Sequence, residues 1–82
     1  MISSAQVSVY PLRQEHIGPT IEAVRMAFEA RGLKPEIGPM STRVVGDDEM
    51  IFAALAEAFG EAASAGEVVM TITVSNACPI AG

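Results

Sequence analysis

The residues of this chain that could carry chemistry are few and isolated. The sequence has one cysteine, Cys78, and one histidine, His16. A lone thiol and a lone imidazole form neither a CxxC pair nor a cluster with metal-ligand spacing. We therefore predict no metal site, and expect Cys78 to be a half-buried thiol and His16 to be an exposed loop or capping residue.

The carboxylates form two groups that could act in catalysis or metal binding. Asp47, Asp48 and Glu49 are consecutive, but they stand where a helix would begin, and acidic side chains stabilise a helix N-terminus. Glu57 and Glu61 lie four residues apart, which is also the spacing of a solvated helix face. We predict capping for the first group and a solvated face for the second. No phosphate-binding glycine loop or nucleophile motif occurs, so the sequence predicts neither an enzyme nor a cofactor.

The strands that would position these residues follow from alternation of polar and apolar side chains. Residues 5–10 and 68–75 alternate and are predicted as half-buried strands. Residues 41–45 are predicted as a third strand that Gly46 closes. Residues 34–39 include Gly38 and Pro39, and because proline lacks a ladder donor, this segment is predicted as an edge strand.

Apolar spacings of three and four residues predict two amphipathic helices. The first begins near Gly18 and ends at Gly32, and the second is capped by Asp47 or Asp48 and ends at Gly66. The predicted apolar faces are Ile17, Ile21, Val24 and Phe28 in the first helix and Ile51, Ala54, Leu55, Ala58, Phe59 and Ala62 in the second. The predicted charged face of the first helix is Glu22, Arg25 and Glu29.

The order strand, helix, strand, strand, helix, strand predicts an α+β protein. The right-handed crossover rule places both helices on one face, which gives a ferredoxin-like βαββαβ sandwich with an antiparallel four-stranded sheet. A chain of 82 residues has room for one domain, 1–82. A chain of this size buries only about 60% of its surface on folding, so we expect it to form an oligomer.

The sheet face away from the helices indicates what covers it. Strands 5–10 and 68–75 contain no charged residue, whereas solvated surfaces are usually rich in charge. This face is therefore expected to meet a second sheet or a neutral pocket. The side chains predicted on it are Gln6, Ser8, Tyr10, Thr71, Thr73 and Ser75.

The charge balance limits the possible partners. The net charge is −5 and the sequence pI is about 4.6, so the chain opposes nucleic-acid backbones and anionic membranes. No apolar run approaches the roughly 20 residues of a bilayer span, and the N-terminus lacks the basic and apolar regions of a signal peptide. The expectation is a cytoplasmic protein that binds neither nucleic acid nor membrane.

Three stretches together resemble one known family. They are residues 7–11 (VSVYP), residues 38–42 (GPMST) followed by Gly46, and residues 69–79 (VMTITVSNACP). They resemble the YkoF-type family of thiamine and hydroxymethylpyrimidine binding proteins, over about residues 4–79. The resemblance implies a ferredoxin-like domain that binds thiamine or its pyrimidine moiety without catalysis, and that pairs sheet to sheet as a homodimer or homotetramer.

The resemblance also implies which residues hold the ligand. In the family the ligand lies near the start of the third strand, which places hydrogen-bonding roles on Ser41 and on the main chain of Val9, with Thr42 as a neighbour. Ser8 and Tyr10 of the first strand complete the implied site, with Tyr10 as its aromatic residue. The alternatives are a structural or regulatory oligomerisation domain without a ligand and, third, an enzyme.

Overall fold

Two helices lie on one face of a four-stranded antiparallel sheet in the computed structural model, which describes residues 1–13 and 18–77. The sheet order is β2-β3-β1-β4, so β1 and β3 are central and β2 and β4 are the edges. This is the ferredoxin-like arrangement, and it confirms the predicted fold class. The elements are β1 (Ile2–Pro11), α1 (Gly18–Glu29), β2 (Glu36–Ile37), β3 (Thr42–Asp47), α2 (Asp48–Ser64) and β4 (Val68–Ser75).

The strands depart from the prediction mainly at their ends. β4 has the predicted bounds, whereas β1 begins three residues earlier than expected and β2 shrinks to two residues. The prediction that Gly46 closes β3 is wrong, because Gly46 pairs with Ser3 of β1 and β3 continues to Asp47. The glycine is needed there because a Cβ at Gly46 would collide with the side chain of buried Leu33.

The helix ends follow the predicted chemistry. Gly32, just past α1, has φ 76°, the left-handed conformation that glycine adopts without a steric penalty. Asp47 caps α2, since its Oδ1 accepts a hydrogen bond from the Glu49 N–H at 3.0 Å. On α1, Arg25 forms ion pairs with Glu22 and Glu29. The predicted capping group and the predicted charged face are both confirmed.

The core lies between the helices and the inner face of the sheet. Phe28, Ile51, Val7 and Val24 are its largest fully buried side chains. The prediction of Phe59 as a core residue is wrong, because it is 46% exposed. The buried stripe of α2 is narrower than predicted and consists of Ile51, Ala54, Leu55, Ala58 and Ala62.

Some expectations concern residues outside the described ranges, namely His16, Ile17 and Cys78. Within the described ranges, no group of three or more His, Cys, Asp or Glu side chains could hold a metal ion. Neither of the two described helices is long and apolar enough to cross a membrane.

Candidate functional site

A tight hairpin between β2 and β3 forms one wall of the candidate site. The pairing Ile37↔Thr42 continues outward, because the Gly38 N–H donates to the Ser41 carbonyl at 2.8 Å. The loop therefore contains only two residues, 39 and 40, and its proline has a fixed φ that suits a turn. The side chain at the tip, Met40, is 76% exposed.

Two side chains of β1 hold this hairpin in place. The Ser8 hydroxyl donates to the Met40 carbonyl at 3.0 Å, and the Gln6 amide Nε2 donates to Ser41 Oγ at 3.1 Å. Gln6 and Ser8 are alternate residues of one strand, so both project from the face away from the helices. The hairpin tip therefore lies against β1 at the point where β3 begins.

The main chain of Val9 points into the space under this hairpin. Successive residues of a strand direct their N–H and C=O groups to opposite neighbours. The Leu12 N–H donates to the Glu67 carbonyl at 2.8 Å, on the β4 side, so Val9, three residues earlier, points to the β3 side. The register of β1 with β3 ends at Val7↔Thr42. Within the described ranges, Val9 has no backbone partner there, and its donor and acceptor face the cavity.

A cavity of about 300 Å³ occupies this space. All five residues implied by the family resemblance line it, and no charged residue occurs among its described lining residues. Its described lining offers hydrogen bonds and apolar contact, and among these described residues there is no carboxylate, imidazole or amine that could serve in acid–base chemistry. The lining is Val7, Ser8, Val9, Tyr10, Pro11, Ile21, Val24, Ile37, Gly38, Pro39, Met40, Ser41 and Thr42.

The implied site residues take different positions around the cavity. Thr42 is buried and lies opposite Val7 on the helix-facing side, whereas Tyr10 is exposed at the rim. Ser41 is half-buried, and its oxygen accepts the bond from Gln6. Because a hydroxyl has one donor and two acceptor positions, Ser41 can still donate to a bound molecule.

Sequence reasoning missed Gln6 and the apolar wall from α1. The periodicity places Ile21 and Val24 only in the core, although both line the cavity. The alternation places Gln6 on the sheet face away from the helices (the open face) without a role in the site, and its contact with Ser41 spans 35 positions of the chain. The alternation that placed Gln6 and Ser8 on one face was the available signal, but only the strand register brings them beside the hairpin.

A second cavity of about 310 Å³ lies nearby, and the open face of the sheet supplies much of its lining. Its lining includes Thr73 and Ser75 of β4 together with Glu36 and Arg43, which lie opposite each other in the backbone register of β2 and β3. The open face is therefore uncharged over β1 and β4, as the sequence predicted, and carries charge toward the β2 edge. Gln6 contributes to this second cavity and also touches the hairpin of the first.

The shifted pKa values lie at the other end of the sheet. Hydrogen bonds from the α-amino group of Met1 to Asp48 and Asp47 raise the pKa of that amine above its usual 8.0. The bond from the Glu49 N–H holds the pKa of Asp47 below its usual 3.8. These shifts belong to the start of α2 and have no part in the neutral cavity.

Comparisons with known proteins agree with this fold. The model of the YKOF-related family matches residues 2–81, and no curated protein matches the chain. A hypothetical protein from Methanocaldococcus jannascii is similar in structure, with a TM-score of 0.83, 25% identity, and coverage of 92% of this chain and 79% of that chain.

Two further solved structures are similar in fold. A protein from Streptococcus pneumoniae has a TM-score of 0.83 at 22% identity, with coverage of 98% of this chain and 90% of its own. A candidate thiamine biosynthesis or salvage protein from Thermotoga maritima has a TM-score of 0.78 at 19% identity, with coverage of 92% of this chain and 83% of its own.

Proposed function

This chain belongs to the YKOF-related family, and on that premise we propose that it binds thiamine or its hydroxymethylpyrimidine moiety without catalysing a reaction. The observation that carries the proposal is the cavity of about 300 Å³ beside Val9, whose main-chain N–H and C=O have no backbone partner on the β3 side within the described part of the chain. The description of the similar Thermotoga maritima protein points to the same class of ligand.

The cavity suits a small heteroaromatic ring. Its volume is at the lower end of the roughly 300–1,000 Å³ of small-molecule sites, which favours one ring system over a large cofactor. An aminopyrimidine has apolar faces and a rim of donors and acceptors. The faces would pack against Ile21 and Val24, while the rim would bond to the Val9 main chain and the Ser41 hydroxyl.

The rest of thiamine is a cationic ring, and it would extend toward the exposed Met40 side of the hairpin. No cation lines the described part of the cavity to repel it. The net charge of −5 attracts a cationic ligand over a distance of about one Debye length. Such binding would serve salvage, carriage or sensing of the vitamin.

The proposal includes a homodimer or homotetramer that pairs through the open face of the sheet. The β1–β4 half of that face carries Gln6, Ser8, Thr71, Thr73 and Ser75 and no charge. A second sheet can pack on such a face with little cost of burying charge. Multi-angle light scattering would measure the mass, and a mass of one 8.6 kDa chain at every concentration would contradict this part of the proposal.

Ligand binding is tested by a thermal-shift screen followed by calorimetry. Thiamine, its phosphates and free hydroxymethylpyrimidine are the probes, and an oligonucleotide at moderate salt is the negative control. A ligand that binds only the native state stabilises it by about 2.7 kcal/mol at a hundredfold excess over its Kd. Absence of any shift or heat at millimolar concentration would contradict the proposal.

One observation favours a second candidate, a structural or regulatory oligomerisation domain. Gln6 and Ser41 already bond to each other, and Ser8 bonds to the hairpin carbonyl, so these side chains have partners without a ligand. Under this alternative the protein forms an oligomer and none of the probes binds. The screen and the mass measurement together distinguish the two candidates.

A further inference from the structure

The five basic residues of the chain are distributed unevenly. Three of them form ion pairs with carboxylates, and these pairs are Arg13 with Glu67, Arg25 with Glu22 and Glu29, and Arg31 with Glu57. The other two, Lys34 and Arg43, both line the second cavity of about 310 Å³. Its described lining holds these two cationic side chains and one carboxylate, that of Glu36. The cavity is therefore a place of local positive charge on a chain of net charge −5.

Arg43 stands within a row of polar side chains that crosses the open face. The register places it opposite Gln6 of β1 and opposite Glu36 of β2, and it places Gln6 opposite Thr73 of β4. Both chain neighbours of Arg43 are buried on the helix side, so alternation directs its own side chain to the open face. Opposite side chains in a sheet have Cβ atoms about 4.5–5.5 Å apart. Arg43 therefore has an amide and a carboxylate as its neighbours across the strands.

A groove of about 400 Å³ connects this row with the hairpin of the candidate cavity, and its lining includes Gln6, Glu36, Met40, Ser41 and Arg43. Ser41 lies two residues before Arg43 on the same face, which is a Cα separation of about 6.8 Å. Ser41 also lines the candidate cavity, and Arg43 also lines the second cavity. A molecule held at Ser41 can therefore extend along the groove to Arg43.

The groups along the groove match the order of groups in a phosphate ester of thiamine, in which the pyrimidine, the cationic ring and the phosphate follow one another. The pyrimidine would lie in the candidate cavity and the cationic ring on the Met40 side of the hairpin. The Glu36 carboxylate lines that same groove and attracts a cation. Beyond it, the guanidinium of Arg43 has the fork geometry that binds two oxygens of one phosphate.

We propose that Arg43 and Lys34 form a phosphate subsite, so that the chain prefers a phosphorylated form of its ligand to the free vitamin. This inference rests on the proposed function, because the subsite is defined relative to a ring bound at Ser41. Arg43 is the main anchor, and the exposed Lys34 adds a second positive charge at the end of the groove.

The donors needed for a phosphate are present in the groove. A guanidinium carries five N–H donors, so Arg43 can keep an existing interaction and still bind phosphate oxygens. The amide of Gln6 has two donors, of which one bonds to Ser41. The negative chain repels phosphate at long range, so selection of phosphate depends on cations in direct contact with it. The proposed contact between copies uses the uncharged β1–β4 half of the open face, whereas Arg43 and Glu36 belong to the β2–β3 half.

Calorimetry with thiamine and thiamine monophosphate tests the subsite. In the wild type, we expect the phosphate ester to bind about tenfold more tightly, the lower end of the range for hydrogen bonds to a charged group, because the groove is open to water. In Arg43→Gln the ratio of the two Kd values should fall to near one. If thiamine binds and its phosphate binds no better, the subsite is wrong and the proposed function stands. If neither compound binds, the proposed function fails and the subsite fails with it.

Arg31→Gln is the matched control, because it removes the same charge from an ion pair with Glu57 that lies outside the groove. It should keep the preference for the phosphate ester, and an equal loss in both variants would overturn the proposal, since net charge alone would then explain it. Light scattering checks assembly, and a changed mass for Arg43→Gln with the preference retained would also overturn it. Circular dichroism establishes whether Arg43→Gln is folded.

Lys34→Gln decides the question if Arg43→Gln does not fold. Lys34 is exposed and lies outside the core, so its replacement leaves the packing of the chain intact. We expect the preference for thiamine monophosphate to fall by about two- to fivefold, the range of an exposed charge pair. An unchanged preference in this variant, with Arg43→Gln unfolded, would overturn the proposal.

Discussion

Ser41 is the residue whose replacement tests the binding site most directly. Ser41→Ala removes a hydroxyl that can donate to the ligand, and leaving one polar atom unpaired costs about 1–3 kcal/mol, or roughly 5- to 150-fold in affinity. Calorimetry with the best probe of the screen measures the change. Ser75→Ala is the control, since its oxygen accepts from the Ala77 N–H at the far end of the sheet. If Ser41→Ala binds the probe with wild-type affinity, the assignment of Ser41 to the site is wrong. If the variant unfolds in the absence of ligand, the role of Ser41 is structural.

We expect Gln6 to affect binding of the proposed ligand only through Ser41, and a double-mutant cycle tests this. Gln6→Ala removes the 3.1 Å bond that orients the Ser41 hydroxyl, so we expect a loss of about 0.5–1.5 kcal/mol in binding, the range of one net hydrogen bond. In the Ser41→Ala background the same change should have little further effect. Additive losses in calorimetry would show that Gln6 contributes independently of Ser41.

The site could be predicted at the level of residues only in part. Val9, Ser8, Tyr10, Ser41 and Thr42 came from a family resemblance, and the structure brings all of them to one cavity. Whether they bind a ligand stays a prediction. The role of Gln6 was missed because local alternation gives the face of a side chain but not its partner on another strand.

Two glycines on neighbouring elements should respond to alanine in opposite directions. At Gly46 in β3 a Cβ would meet the buried Leu33 side chain, and forced repacking of a core costs about 1–3 kcal/mol. At Gly60 in α2 the same Cβ meets nothing within 4 Å, and alanine in a helix is favoured by about 0.5–1 kcal/mol. Urea unfolding measures both. A stabilised Gly46→Ala would show that Leu33 moves aside freely.

The start of α2 should make stability depend on pH on both sides of neutrality. The lowered pKa of Asp47 means that its contribution is present above pH 3.8 and is lost as pH falls through the lower folded value. The raised pKa of the Met1 amine means that its contribution is present below pH 8.0 and is lost as pH rises through the higher folded value. Thermal unfolding midpoints from pH 2 to 10 measure both.

Asp47→Asn separates the cap from the charge. Asparagine caps a helix about as well as aspartate, so near neutral pH the midpoint should be close to that of the wild type, while the loss on the acid side should shrink. Asp47→Ala should lower the midpoint at every pH because the bond to the Glu49 N–H disappears. If the unfolding midpoint of Asp47→Asn falls at acid pH as much as that of the wild type, the loss of stability comes from another carboxylate.

The elements were more predictable than the exact surfaces they bury. Periodicity located both helices and three of the strands, because core contacts impose those periods, and the glycine and aspartate signals marked the helix ends. The pattern also assigns Phe59 to the core, and this fails because Phe59 lies beside the buried stripe of α2 and is 46% exposed. Periodicity identifies an apolar stripe, but how much of it is buried depends on what lies opposite.

At the scale of the whole molecule, the net charge of −5 predicts how assembly depends on salt. Acidic copies repel, and the Debye length falls from about 30 Å at 0.01 M salt to about 8 Å at 0.15 M. We therefore expect added salt to strengthen self-association, which sedimentation equilibrium can measure. Dissociation on adding salt would mean that ion pairs between the copies hold them together.

The contacts that join the hairpin to β1 beside the candidate cavity have a consequence for the order of events in folding. The Ser8–Met40 and Gln6–Ser41 bonds join residues 32 and 35 positions apart, so they form only after the β2–β3 hairpin has docked on β1. Contacts of such long range form late, because the chain entropy of loop closure opposes them. A ligand held by these groups would recognise the completed protein alone, and would lengthen the lifetime of the folded state without accelerating its formation.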